Sequence, residues 1–227
     1  MNKTETAVIT DKLADELAGE LVKEISNDPS KSLLTPGGQK ERLKGEIARN
    51  LDSHFASVAK GITQLLERSI QLIQANDPRI DQKAFQNLLT KLSDENKFQD
   101  LATEELKVFM VAASDFYNHQ EYDQAADAFY TLTVLAPTSP ILWKCLGNAK
   151  YFGKNYKDAF EAYEMAFSLD PSDLDCVLFQ ARCLQNDGRQ HEAIDRIHHL
   201  VEHISRGPQS ANWHEKATAL LKDLEGK

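Results

Sequence analysis

Ala125, Ala159 and Ala193 stand 34 residues apart, and the residues around them recur with them. Three positions earlier come Tyr122, Tyr156 and Gln190; four positions later come Phe129, Tyr163 and Ile197. Pro137 and Pro171 follow the first two alanines at equal distance. A self-similar segment of this length accommodates one pair of helices, which cannot bury its apolar face alone and must stack on the next pair. The period therefore restricts the chain to an array of helix pairs.

The steric reading of the pattern is direct. Small residues are needed where two helix backbones approach, and bulky ones fill the space between successive pairs. The alanines lie on the second helix of each pair; Ala113, Gly147 and Ala181, again 34 apart, mark the close approach on the first. Phe109, Trp143 and Val177 fill the space beside them. Pro137 and Pro171 end second helices, since proline supplies no amide hydrogen to the ladder. In the third unit Ser205 stands at the proline position, and Gly207-Pro208 ends the helix instead. With Trp143, Leu146 and Gly147 ahead of Ala159, the pattern resembles the tetratricopeptide repeat, whose unit places these residue types at the same offsets.

The expected fold is all-α: a tetratricopeptide-repeat solenoid of three repeats plus a C-terminal capping helix, with an N-terminal helical extension. The repeats are assigned to 106–139, 140–173 and 174–207, and the capping helix to 210–224, within a repeat domain spanning 101–227. Trp213, Ala217, Leu220, Leu221 and Leu224 share one side of that last helix, as the end of an array requires. The extension, 1–100, divides into a helix over 11–26, a linker over 28–39 containing Pro36-Gly37-Gly38, a long helix over 40–75 with a bend near Gly61, and a helix over 82–92. Leu13, Leu17, Leu21 and Ile25 in the first, and Leu43, Ile47, Leu51, Phe55, Val58, Ile62 and Leu65 in the long one, fall at helical spacing. The N-terminal helices are expected to pack on the array or to mediate a homodimer, the linker permitting an exchanged arrangement.

Charge narrows the partners. Residues 1–100 carry 14 Lys+Arg against 16 Asp+Glu, and 101–227 carry 12 against 19. An acidic repeat domain lacks the basic face that phosphate binding needs, so nucleic acid is excluded as a partner. No apolar run approaches the ~20 residues of a membrane span, which predicts no stable membrane association. The N-terminus, MNKTETAVITDKL, has no apolar core of the secretory type. Cys145, Cys176 and Cys183 show no CxxC spacing, which suits reduced, packed thiols in a cytoplasm.

The first helices of such repeats line the inside of the array. Counted from Leu106, Pro140 and Leu174, the inward positions are the second, fifth, ninth and twelfth. The first repeat offers Lys107, Met110, Ser114 and Tyr117; the second, Ile141, Lys144, Asn148 and Tyr151, with Phe152 beside it; the third, Asp175, Leu178, Arg182 and Gln185. Apolar pockets formed by Met110, Tyr117, Ile141, Tyr151 and Leu178, with Lys144, Asn148 and Arg182 between them, suit an extended peptide with spaced apolar anchors.

Further residues carry a more specific resemblance. The stretch from Ala113 through Tyr117 and Tyr122 to Ala125, continued by Phe129 to Leu135, resembles the first repeat of the class II chaperones of type III secretion, the SycD/LcrH group. So do Leu146-Gly147, Ala162-Tyr163, Leu169-Asp170-Pro171, Ala181-Arg182-Cys183-Leu184, Gly188 and Glu192-Ala193. The likeness covers roughly residues 100–225. It implies a protein of the bacterial cytoplasm, without cofactor or catalysis, that binds hydrophobic translocator proteins before secretion. A short client segment of pattern P-x-L-x-x-P would lie in the concave groove. By matching position, Met110, Ser114 and Tyr117 form the first-repeat pocket; the family usually has aromatics at the first two, so this pocket departs from its pattern. The long segment before the repeats is a second departure, shared with chlamydial members.

Two other classes fit less well. A general tetratricopeptide adaptor that clamps the acidic tail of a heat-shock chaperone needs Lys, Asn and Arg at positions that here hold Met110, Ser114, Cys145, Asp175 and Phe179. An enzyme would need a constellation that His191, His198, His199 and His203 do not supply: His199 and His203 have i, i+4 spacing, but no third ligand, HExxH, phosphate loop or nucleophile elbow accompanies them.

Overall fold

The computed structural model describes residues 57–92, 103–203 and 210–226, which are helical apart from short turns; no strand occurs among them. The expected helix at 11–26, the linker at 28–39, the first part of the long helix, and Ser205 to Pro208 lie outside the described residues. Helix α1 covers 57–74, and α2 covers Gln82–Leu92. The three repeats follow as α3 (Thr103–Asn118) and α4 (Tyr122–Leu135), α5 (Pro140–Phe152) and α6 (Tyr156–Leu169), and α7 (Asp175–Asn186) and α8 (Gln190–His203). Helix α9 is Ser210–Glu225. No described helix is long and apolar enough to cross a membrane.

The turn inside each repeat is built the same way three times. Its central residue has a left-handed backbone: Gln120 (φ 62°), Lys154 (φ 63°) and Gly188 (φ 77°), again 34 apart. The next N–H reaches back over that residue, from Glu121 to the Phe116 carbonyl (2.9 Å), Asn155 to Lys150 (2.9 Å) and Arg189 to Leu184 (2.8 Å). This is the Schellman closure, which satisfies carbonyls that a helix end leaves without partners. Glycine adopts the left-handed conformation freely, whereas Gln120 and Lys154 carry a Cβ that opposes it. Gln120→Gly and Lys154→Gly are each expected to stabilise the fold by about 0.5 kcal/mol. Together they should raise the thermal midpoint by roughly 2–4 °C. A lowered midpoint in both would show that these turns carry no strain.

Close approach at Gly147 fixes the packing of the second repeat. A Cβ there would lie 2.8 Å from two ring carbons of Tyr163. That ring cannot yield: it is fully buried, stacked on Phe179, and held by its hydroxyl donating to Asn148 Oδ1 at 2.7 Å. Gly147→Ala should therefore destabilise by about 1–3 kcal/mol despite the better helix propensity of alanine. A midpoint equal to or above that of the parent, read by thermal melting, would contradict this packing.

The residues from Gly61 onward share one compact unit with the repeats. Leu65, Leu72, Ile80, Phe85 and Leu88 of the α1–α2 segment join Val108, Phe109, Phe129, Leu132, Leu142 and Leu146 in a continuous core. The lack of a side chain at Gly61 permits a crossing with α4, where a Cβ would meet Thr131 and the Asp127 carbonyl. A polar hub fastens the same junction. Asp115, 4% exposed, accepts from Arg68 at 3.2 Å and from Arg79 at 2.9 Å. Arg68 also pairs with Glu121 at 2.5 Å and lies 4.2 Å over the Phe116 ring. At the other end α9 closes the third repeat: Ala217, Leu220 and Leu224 bury against Leu178, Ala193, Ile197 and Leu200.

Candidate functional site

The period of the sequence aligns the first helices in register, so residues 34 apart form columns across α3, α5 and α7. Tyr117 of α3 and Tyr151 of α5 belong to a row of rings that also takes in Tyr122 of α4 and Tyr156 and Tyr163 of α6. Tyr117 meets Tyr122 edge-on at 5.7 Å and Phe152 at 5.9 Å. Phe152 stacks on Tyr122 at 5.7 Å and meets Tyr151 at 5.4 Å. Tyr151 in turn meets Tyr156 at 5.6 Å and Phe179 at 5.8 Å, and Phe179 stacks on Tyr163 at 5.2 Å. The row thus passes without a break from the first repeat to the third. Edge-to-face and offset contacts of this kind hold each ring by the next. A surface organised in this way loses little side-chain freedom when a ligand arrives.

The ten candidate groove residues differ in how available they are. Ile141 is 61% exposed and Phe152 45%, whereas Leu178 is 8% exposed and packs in the core of the third repeat. Met110, Ser114, Tyr117, Asn148 and Tyr151 are half-buried, and Arg182 is exposed. Burial pushes the Tyr117 hydroxyl above its ordinary pKa, with Tyr122 adding to the effect. Asn148 spends its carbonyl on Tyr163. The Tyr151 hydroxyl accepts from Asn186 Nδ2 at 3.2 Å.

Lys144 is engaged within the fold. Its ammonium donates to Asp173 at 2.6 Å and lies 3.7 Å from Asp175. Burial works against its charge, but Asp173 and then Asp175 more than offset this and hold its pKa above the ordinary lysine value. Asp175 is shared with Lys216 of α9 at 3.4 Å, so a line of alternating charges joins the second repeat, the third and the closing helix.

The three thiols are poor nucleophiles. Burial pushes Cys176 and Cys183 up to about 12 and raises Cys145 as well; only the thiolate reacts readily. Among the described residues no group of three His, Cys, Asp or Glu side chains is placed to hold a metal ion.

Sequence reasoning singled out Tyr117, Tyr151 and Phe152 but not the rings that pack against them. Tyr122 and Tyr156 carried a signal, since they stand 34 apart just before the repeat alanines. Phe179 had none: its column holds Cys145 and Val111 in the other repeats.

The array is similar in fold to chains of several solved structures. A chain in the crystal structure of a type III secretion complex from Aeromonas hydrophila superposes with a TM-score of 0.50 at 20% identity. The match covers 56% of this chain and 85% of that one. A chain of the CopN-Scc3 complex gives 0.50 at 17% identity, covering 53% and 71%. The Yersinia enterocolitica type III secretion translocator chaperone SycD gives 0.48 at 20% identity, covering 55% and 86%. No family model matches the sequence, and no curated protein does. The likeness is one of fold alone: an all-α array of stacked helix pairs.

Proposed function

We propose that this protein is a non-enzymatic cytoplasmic chaperone of type III secretion. It binds an extended N-terminal segment of hydrophobic translocator proteins in the groove lined by the first helices. Holding that segment keeps the clients soluble and competent for secretion. The observation that carries the reading is the unbroken aromatic row across the three repeats, with Phe152 and Ile141 open to solvent beside it. Amphipathic rings fixed by one another suit apolar anchors on a peptide whose backbone stays partly hydrated. The fold it shares with a chain of a type III secretion complex supports the assignment.

The mechanism is passive. An unfolded segment orders on a preformed surface, which typically costs the complex several kcal/mol and places affinity on the order of micromolar to nanomolar. Co-expression with the hydrophobic proteins encoded beside it, followed by affinity purification and mass spectrometry, tests the reading. Recovery of a stoichiometric, membrane-active partner bearing a P-x-L-x-x-P-like segment is expected. Recovery of a heat-shock chaperone, or of soluble folded proteins alone, would make the protein a general repeat adaptor instead.

A further inference from the structure

Resting on the peptide-groove reading above, the geometry points to Arg182 as a subsite for an acidic side chain, carried by the client segment at the end that lies on the third repeat. Three cations stand on the inward columns of the first helices, and two of them are already neutralised. Lys107 pairs with Glu104 at 2.7 Å, and Lys144 pairs with Asp173 and Asp175. Arg182 is exposed, and among the described residues its guanidinium has no ion-pair or hydrogen-bond partner.

The position of Arg182 ties it to the aromatic row. Asn186, one helical turn on, donates through Nδ2 both to the Arg182 carbonyl at 2.8 Å and to the Tyr151 hydroxyl at 3.2 Å. Arg182 also occupies the column of Ser114 and Asn148, so a chain seated along the rings reaches a neutral polar group in the first two repeats and a positive charge in the third. Among the described residues no acidic group is paired with it. Asp175, two turns away, is shared between Lys144 and Lys216. Asp187 is the cap residue after α7, five positions on and so not an i+3 or i+4 neighbour of Arg182. In a domain of strongly negative charge, one uncommitted guanidinium beside an apolar row selects for an isolated carboxylate next to apolar anchors, and it offers the planar fork that binds carboxylate in a bidentate manner.

Titration calorimetry of the full-length protein tests this with four peptides. The first is an acetylated, amidated Pro-Ala-Leu-Ala-Ala-Pro core flanked by alanines. The second and third have an aspartate directly before or after that core, and the fourth is the neutral peptide with a free C-terminal carboxylate. The proteins are the parent, Arg182→Gln and Arg182→Lys. At low salt, one of the two aspartate peptides is expected to bind about fivefold more tightly than the neutral one. The gain should vanish in Arg182→Gln, persist in part in Arg182→Lys, and shrink as salt is raised. The gain is read within each protein as the ratio of aspartate-peptide to neutral-peptide affinity, so that any general effect of the substitution on groove binding cancels. The inference is overturned if neither aspartate peptide gains, if the gain survives in Arg182→Gln, or if the free carboxylate alone produces it. If the neutral peptide fails to bind the parent, the groove reading falls first and this subsite with it.

Discussion

Exchanging Tyr117 and Tyr151 together for glutamate is expected to abolish client co-purification while leaving helicity unchanged. Each ring sits at a node of the aromatic row, Tyr117 against Tyr122 and Phe152, Tyr151 against Phe152, Tyr156 and Phe179. Central aromatic anchors in peptide and protein interfaces typically contribute about 2 kcal/mol or more each. Loss of both therefore corresponds to roughly a thousandfold in affinity. A carboxylate in place of each ring adds a desolvation cost that an apolar client cannot repay. Both tyrosines are half-buried rather than in the core, so the repeats themselves should still stack. Circular dichroism and pull-down from a co-expressing strain read the two halves of the result. A double variant that keeps its client would show that the peptide does not lie along these rings.

The second large effect concerns stability. Asp115→Ala removes the carboxylate that joins Arg68 of α1 and Arg79 of the α1–α2 turn to α3. Hydrogen bonds to charged partners are worth about 1.5–3 kcal/mol, and removing one side of a partly buried cluster leaves its cations undercompensated. Arg68 retains Glu121, and Arg79 retains Asp77 and is nearly half exposed, which moderates the cost to about 2–3 kcal/mol. The thermal midpoint should fall by roughly 4–10 °C. Amide exchange should accelerate first in residues 61–92, because the hub holds that segment to the first repeat. A midpoint within about 1 °C of the parent would mean that apolar burial alone fastens α1 and α2.

How far these features were legible in the sequence depends on whether they repeat. The helix pairs were legible, because Ala125, Ala159 and Ala193, all fully buried, and Phe129, Tyr163 and Ile197, at most 2% exposed, recur at a fixed interval that only stacked helices use. Gly147 was legible for the same reason: its column holds Ala113 and Ala181. The Asp115 hub was not foreseen, because its partners Arg68 and Arg79 lie outside the period. A trace of it existed nonetheless, since Asp115 shares its column with Ala149 and Cys183, and all three are buried. A charge in an otherwise apolar column requires a partner from elsewhere. Gln180 tells the same story in the column of Ala112 and Leu146: it is fully buried, and its carbonyl accepts from Arg196 at 3.1 Å.

The candidate face was legible in outline and not in its commitments. Column positions group residues 34 apart, but do not tell which of them the fold already uses. Lys144 and Asn148 read as free polar groups in sequence; the structure engages one with Asp173 and the other with Tyr163. Leu178 read as a pocket wall and is packed in the core, since α9 closes over the third repeat. Those outcomes depend on contacts between repeats and on a helix outside the period.

The measurement that bears most directly on the central claim is site-specific photo-crosslinking in the co-expressed complex. Benzoylphenylalanine is placed at Phe152, exposed beside the aromatic row, and in a separate variant at Met165, similarly exposed on the second helix of the same repeat. The account predicts a client adduct from position 152, mapping to one short segment near the client's N-terminus, and none from position 165. An adduct from position 165 alone would place the client on the opposite helices and contradict the groove.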